Sequence, residues 1–196
     1  MEEQRVISTT GKGSINVKGS RFYSFAVPVA SQDEVREYLS DLRSRFPDAT
    51  HIVWAYRLLS DEASSDAGEP RGSAGLPLLN LLRSGSLVNS AIFVVRYFGG
   101  KKLGIPGLIG AYTESGKIAL SRADFAGYEK KLNFSIFVSW TDYNNIRSLV
   151  KRLGCDMLDE DFGDGVTLFL SASERLFPAI KERILDATSG RAHFGD

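Results

Sequence analysis

Between Ala91 and Tyr112 the chain changes character twice. Ala91-Ile92-Phe93-Val94-Val95 is a continuous apolar, β-branched run, short enough to be a buried strand. At Gly99-Gly100-Lys101-Lys102-Leu103-Gly104 it gives way to glycines and lysines, and an apolar helical pattern resumes from Leu108 to Leu120. The order is strand, glycine-rich turn, helix. Glycine is required where the backbone takes φ > 0 or passes close to another group. A helix opening just past such a turn presents unpaired N–H groups, and the positive end of its dipole, to whatever lies there. An anion is the natural guest.

No named phosphate motif fits. Gly99, Gly100, Gly104, Gly107 and Gly110 have the wrong intervals for a dinucleotide fingerprint. Gly110 to Gly116-Lys117 has one residue too many for a Walker A loop, and Ile118 stands where Ser or Thr should hold magnesium. Gly104-Ile105-Pro106-Gly107 has the form of the GXXG loop that clamps nucleic-acid backbone, a four-residue pattern that chance also produces.

The 196 residues suffice for one large domain or two small ones, and equal numbers of basic and acidic residues mean that any basic patch must be local. The single cysteine, Cys155, excludes an internal disulfide. With only His51 and His193 beside it, no Cys/His zinc cage of the usual spacing can form. Neither a spanning apolar run nor the basic-then-apolar order of a signal peptide is present, so the expectation is a cytoplasmic protein with no membrane partner and no cofactor.

Short β-favouring runs between Gly13 and Val29, split by Lys18-Gly19-Ser20-Arg21, read as a hairpin with a basic tip. Ser31 and Glu34 form a capping-box pattern ahead of an amphipathic helix that carries Val35, Tyr38, Leu39 and Leu42 and stops before Pro47. Thr50 to Leu59 reads as an interior strand, with His51 and Arg57 at opposite ends and His51 taken as a partly buried histidine bonded to backbone. Ser60 to Gly75 reads as an irregular acidic loop, and a short helix from Ser73 carries Leu78, Leu79, Leu81 and Leu82. In that loop Asp66 and Glu69, with Arg57, could bind a divalent metal or act as acid and base; the plainer alternative is that they cap the following helix and pair with Arg71 or Arg57. The small residues Gly110, Ala111, Ser115, Gly116 and Ala119 give the 108–120 helix a face for close packing.

Past the boundary at Ala126-Gly127 and Glu129-Lys130-Lys131 the pattern runs strand 132–140, helix 143–153, strand 155–161, strand 166–172, helix 174–187 and a last strand near 192–194. This βαββαβ order is the split-βαβ, ferredoxin-like plan. The expected class is therefore α+β, with domains 1–125 and 130–196. The acidic residues Asp156, Asp159, Glu160, Asp161 and Asp164 lack the spacing of a calcium loop and are read as a solvated hairpin with an Asp-Gly turn.

Ala67-Gly68-Glu69-Pro70-Arg71-Gly72-Ser73-Ala74-Gly75, then Arg96-Tyr97-Phe98-Gly99-Gly100-Lys101-Lys102-Leu103-Gly104 and Gly107-Leu108-Ile109-Gly110-Ala111-Tyr112, resemble the signature of the IMPACT/YigZ family; Thr50-His51 and Ala55-Tyr56-Arg57 also fit. The resemblance runs from about Lys18 to Leu120, and the C-terminal part is similar to the small domain of bacterial members. It implies an N-terminal domain of the kind seen in a small-subunit ribosomal protein and in domain IV of elongation factor G, followed by one like domain V of that factor. Eukaryotic relatives regulate translation by competing for the activator of a starvation-responsive kinase, whereas bacterial members have no assigned reaction and are thought to bind nucleic acid. Two departures stand out: Ala67 replaces the usual Asp, which weakens a carboxylate-cluster enzyme, and Gly110 replaces a common Arg, which removes a surface cation.

The leading expectation is a non-enzymatic binding protein of the translation or RNA system whose partner is RNA or a ribosome-associated protein. The Gly99–Gly107 turn, Arg96, Lys101, Lys102, Arg71 and Lys117 would hold phosphate, while Tyr97, Phe98 or Tyr112 would stack on a base. Between Arg96 and Lys117 there are four cations against one anion, Glu114. In the opposing reading Arg96 is structural, paired with Glu69 or Asp66 beneath the turn. Two other classes stay open: an enzyme acting on a small anionic substrate between the 61–75 loop and the 96–107 turn, and a protein-binding module using the second domain or the Val35–Leu42 face.

Overall fold

A computed structural model describes residues 4–195. The described residues form two compact units, one up to Tyr128 and the other from Glu129. The first runs β1 (Arg5–Thr9), β2 (Gly11–Val17), β3 (Ser20–Pro28), α1 (Gln32–Arg45), β4 (His51–Arg57), β5 (Glu62–Ser65), α2 (Gly75–Ser84), β6 (Ser90–Tyr97), α3 (Gly104–Ser121) and β7 (Asp124–Gly127). Its main sheet has the order β2-β3-β6-β4-β5 and is antiparallel throughout.

The apolar run 91–95 occupies the middle of this sheet, because both of its faces are apolar and only a central strand covered on both sides buries both. Alternation along β6 sends Ile92, Val94 and Arg96 to one face and Ala91, Phe93, Val95 and Tyr97 to the other. On the first face they meet Phe22, Leu78, Leu82 and Tyr112, with α2 and α3 above. On the second they meet Val35 and Leu42 of α1. The helix face offered at sequence level for a partner, Val35–Leu42, is thus spent on the sheet: Val35 and Leu42 are buried.

Local signals account for most boundaries. Lys18 and Gly19 take φ of +47° and +87°, the two left-handed residues of a tight β2–β3 turn whose twist suits a hairpin. Ser31 Oγ accepts from the Glu34 amide at 3.2 Å, and Glu34 Oε2 accepts in turn from the Ala30 amide at 2.8 Å, closing a capping box shifted by one residue. A Cβ on Gly116 would lie 2.7 Å from Leu81 Cδ1, so the small face of α3 does serve close packing, against α2.

Several expectations are corrected. α3 begins at Gly104, four residues before Leu108, because Pro106 in a first helical turn loses no hydrogen bond and its fixed φ suits the helix. The acidic loop contains the edge strand β5, paired with β4. α2 begins at Gly75, two residues after Ser73, whose hydroxyl donates instead to the Pro70 carbonyl at 2.6 Å. The exposed strand β7 pairs with β1 in a two-stranded sheet, where the sequence suggested only a boundary.

The second unit comprises β8 (Lys131–Val138), α4 (Trp140–Arg152), β9 (Asp156–Phe162), β10 (Val166–Ser173), α5 (Phe177–Ala187) and β11 (His193–Gly195). Its sheet order, β11-β8-β10-β9 with every pair antiparallel, is the βαββαβ plan read from the sequence. Ile136, Leu168, Ile146, Val150, Ile180 and Ile184 form its core. Among the described residues no helix is long and apolar enough to cross a membrane.

Candidate functional site

Arg96 lies near the end of the central strand, on the face covered by α2 and α3, and its side chain is only 5% exposed. A charge so placed needs a partner. Arg96 Nη1 donates to Glu69 Oε1, and Nη2 reaches Ser20 Oγ at 3.4 Å. Its guanidinium carbon sits 5.5 Å from the Phe22 ring centroid and 5.7 Å from that of Phe98. Tyr112 Oη, from α3, donates to the same Glu69 oxygen at 2.8 Å. Burial, and then the Glu69 charge, push the Tyr112 hydroxyl pKa well up, so it remains a donor.

His51 stands opposite Arg96 in the β4–β6 ladder. Its Nδ1 is 2.8 Å from the Ala67 carbonyl, which can only accept, so Nδ1 carries a proton; Nε2 lies 3.9 Å from Glu69 Oε1. Three elements, β6, α3 and β4, thus converge on one carboxylate. Its second oxygen, Glu69 Oε2, receives no hydrogen bond from any described residue.

Asp66 does something different. Its two oxygens accept from the amides of Gly72 (2.8 Å), Ala74 (3.0 Å) and Gly75 (2.8 Å), the orphan donors at the start of α2. Burial alone would raise its pKa, but these amides outweigh burial and hold the carboxyl below its ordinary value. The plainer sequence reading therefore holds for Asp66 as a cap. For Glu69 the pairing with Arg96 is the one foreseen.

The glycine turn follows. A Cβ on Gly99 would lie 1.9 Å from the carbonyl carbon of Gly19, so only glycine lets the turn pack under the β2–β3 hairpin. The Gly99 amide donates to Ser20 Oγ at 3.1 Å, and the Phe98 amide to Thr50 Oγ1 at 2.9 Å. Beyond them, the amides of Gly100, Lys101, Lys102 and Leu103 meet no acceptor among the described residues, and α3 starts without a side-chain cap. Gly100 and Gly104 take φ of +82° and +71°. Lys101 and Lys102 are exposed, and neither is paired with a described carboxylate. A pocket of about 250 Å³ opens between Pro70 and the start of α3, lined by Glu69, Arg96, Phe98, Lys102 and Ile105 among others.

The fold brings together Arg96, Phe98, Gly99, Gly100, Lys101, Lys102, Gly104, Gly107 and Glu69, and parts them from the rest of the expected set. Arg96 is a buried ion-pair partner, not a surface phosphate clamp. Tyr97 points to the α1 face, edge-on to Tyr23. Tyr112 is wholly buried, edge-on to Phe22, and cannot stack on a base. Lys117 lies thirteen residues beyond Gly104 on α3, about 20 Å along the axis. Arg57, at the far end of β4 from His51, reaches Glu62 at 3.4 Å instead of Asp66 or Glu69. Arg71 is exposed, and its charge helps to lower the Asp66 pKa. The sequence reading missed His51 and Ser20 as members of the cluster; only the pairing of β4 and β3 with β6 makes them neighbours of Arg96.

Residues 18–120 match the model of the Impact N-terminal domain, and residues 136–191 match a domain of unknown function, DUF1949. The chain belongs to the IMPACT family. An IMPACT family member from Thermus thermophilus is 33% identical over 177 residues, covering 89% of this chain and 97% of that protein. One from Haemophilus influenzae is 30% identical over 183 residues, covering 89% and 87%. The Saccharomyces cerevisiae IMPACT homolog is 30% identical over 124 residues, covering 59% of this chain and 47% of that protein. A crystal structure of a hypothetical protein is similar in fold, with TM-score 0.78 and 22% identity, covering 99% of this chain and 97% of that one. The IMPACT match spans the glycine turn, the Glu69–Arg96 pair and the start of α3 alike.

Proposed function

We propose that the chain is a cytoplasmic, non-enzymatic binding protein of the translation or RNA system that grips single-stranded RNA by its phosphates at the Gly99–Gly104 turn. One observation carries the reading: consecutive amides from Gly100 to Leu103, which meet no acceptor among the described residues, lie beside two exposed lysines with no described carboxylate partner, at the positive end of an 18-residue helix. Such contacts supply affinity without base readout. Membership in a family whose eukaryotic members resemble regulators of translation supports the setting. The elongation-factor-like domains that this resemblance implies are consistent with a ribosome-associated role.

An enzyme on a small anion has less to work with. It would use Glu69 or Asp66 with Arg96, and Asp66 is committed to three amides while Glu69 Oε1 is taken up by Arg96 and Tyr112. Filter binding of single-stranded RNA at two salt concentrations tests the proposal. The affinity should fall with salt, and Lys101→Glu plus Lys102→Glu should lower it and reduce the log–log slope by about 0.7 for each phosphate contact removed. Affinity that is absent, or indifferent to the double variant, overturns it.

A further inference from the structure

The pocket beside the turn is lined by Glu69 and Arg96, each of which keeps a polar atom that no described residue engages. Arg96 Nε is buried and has no hydrogen-bond partner. Glu69 Oε2, on the residue that anchors Arg96, accepts from no described donor. A buried donor left without a partner calls for an explanation, and a bound guest is one. The walls are apolar: Pro70, Phe98, Leu103, Ile105 and Leu108. Phe98, on the pocket wall, is 47% exposed, which leaves ring surface available for stacking. The space, about 250 Å³, falls below the roughly 300–1,000 Å³ of pockets for drug-sized ligands and suits a single ring system.

The geometry points to a subsite for one unpaired nucleobase of the bound strand, stacked on Phe98 and read at an exocyclic amino group by Glu69 Oε2. The inference rests on the phosphate reading above, because the neighbouring amides and Lys102 place the backbone that would deliver the base. A carboxylate oxygen only accepts. It therefore favours adenine, cytosine and guanine, which carry an amino group, over uracil, which carries none. Stacking on an aromatic ring is tolerant of base identity, so Phe98 contributes affinity while Glu69 contributes choice.

The test is fluorescence anisotropy on the full chain with labelled oligoadenylate, oligocytidylate, oligouridylate and an abasic strand of one length. The amino-bearing strands should bind about tenfold more tightly than oligouridylate. Glu69→Gln should bring the three base-bearing strands to within about twofold of one another. Should that variant not fold, Phe98→Ala, at an exposed position, still decides: it should weaken all three by about tenfold and leave the abasic strand unchanged. Equal binding of all four strands, with Phe98→Ala silent, overturns the base subsite and leaves the phosphate reading standing. Binding of none overturns both.

Discussion

Glu69 and Arg96, separated by 27 positions in the chain, form an ion pair whose side chains are 4% and 5% exposed. The pair lies under the turn, with Tyr112 donating from α3 and His51 standing across the ladder. Removing one partner leaves the other charge buried and uncompensated, at a cost of about 3–5 kcal/mol. Urea denaturation of Glu69→Ala should show a loss of that order, and the double variant Glu69→Leu with Arg96→Met should recover most of it. A loss below about 1 kcal/mol in the single variant would mean that the pair does not hold the turn to the sheet.

Tyr112→Phe isolates one bond of the same cluster. The ring and its edge-on contact with Phe22 remain, and only the donor to Glu69 is lost. A hydrogen bond to a charged acceptor contributes about 1.5–3 kcal/mol, so thermal unfolding should report a loss within that range. No change would place the Tyr112 hydroxyl outside the network.

Asp66 gives the fold an acid limit. Its folded pKa is depressed, so the stability it contributes is present above the unfolded value and is lost as pH falls through the folded one. Asp66→Ala should cost about 2 kcal/mol at neutral pH, and the gap from the parent should close as pH drops below about 4. A gap independent of pH would show that the ionised carboxylate is not what caps α2.

Ala67 takes φ of +47°, a region that an L-alanine enters at a cost of about 1–2 kcal/mol. Ala67→Gly should therefore raise stability by about 1 kcal/mol in urea titration. A decrease would mean that this backbone conformation is not the one adopted.

Gly99 and Gly110 should respond oppositely. A side chain at 99 collides with the Gly19 backbone, so Gly99→Ala should destabilise by about 1–3 kcal/mol or displace the turn. At 110 a Cβ meets nothing within 4 Å, on an exposed stretch of α3. Gly110→Arg should stabilise the helix by up to about 1 kcal/mol and strengthen RNA binding at low salt. Weaker RNA binding by Gly110→Arg would separate α3 from the phosphate surface.

Much of the fold was legible because its signals are short-range. The 91–95 run has two apolar faces and so demands an interior position. Ser31 and Glu34 announce a helix start three residues apart, and the strand–helix order beyond Lys131 carries its own topology. The misreadings have equally local reasons. Pro106 looked like part of a loop, although a first helical turn accepts proline without loss. β7 is exposed throughout and β1 buries only Ile7, so no periodicity marks them.

The residues alone determined that a tight glycine turn sits between a core strand and a helix, that lysines flank it, and that one β-branched run must lie inside a sheet. They could not determine which charges meet. Glu69, Arg96, His51 and Tyr112 come from a loop, two strands and a helix far apart in the chain, and only antiparallel pairing of β4 with β6 and the docking of α3 bring them into one cluster. Arg96 became a buried partner instead of a surface cation because the alternation of β6 turns it beneath α3, where an unpaired charge would be prohibitively costly.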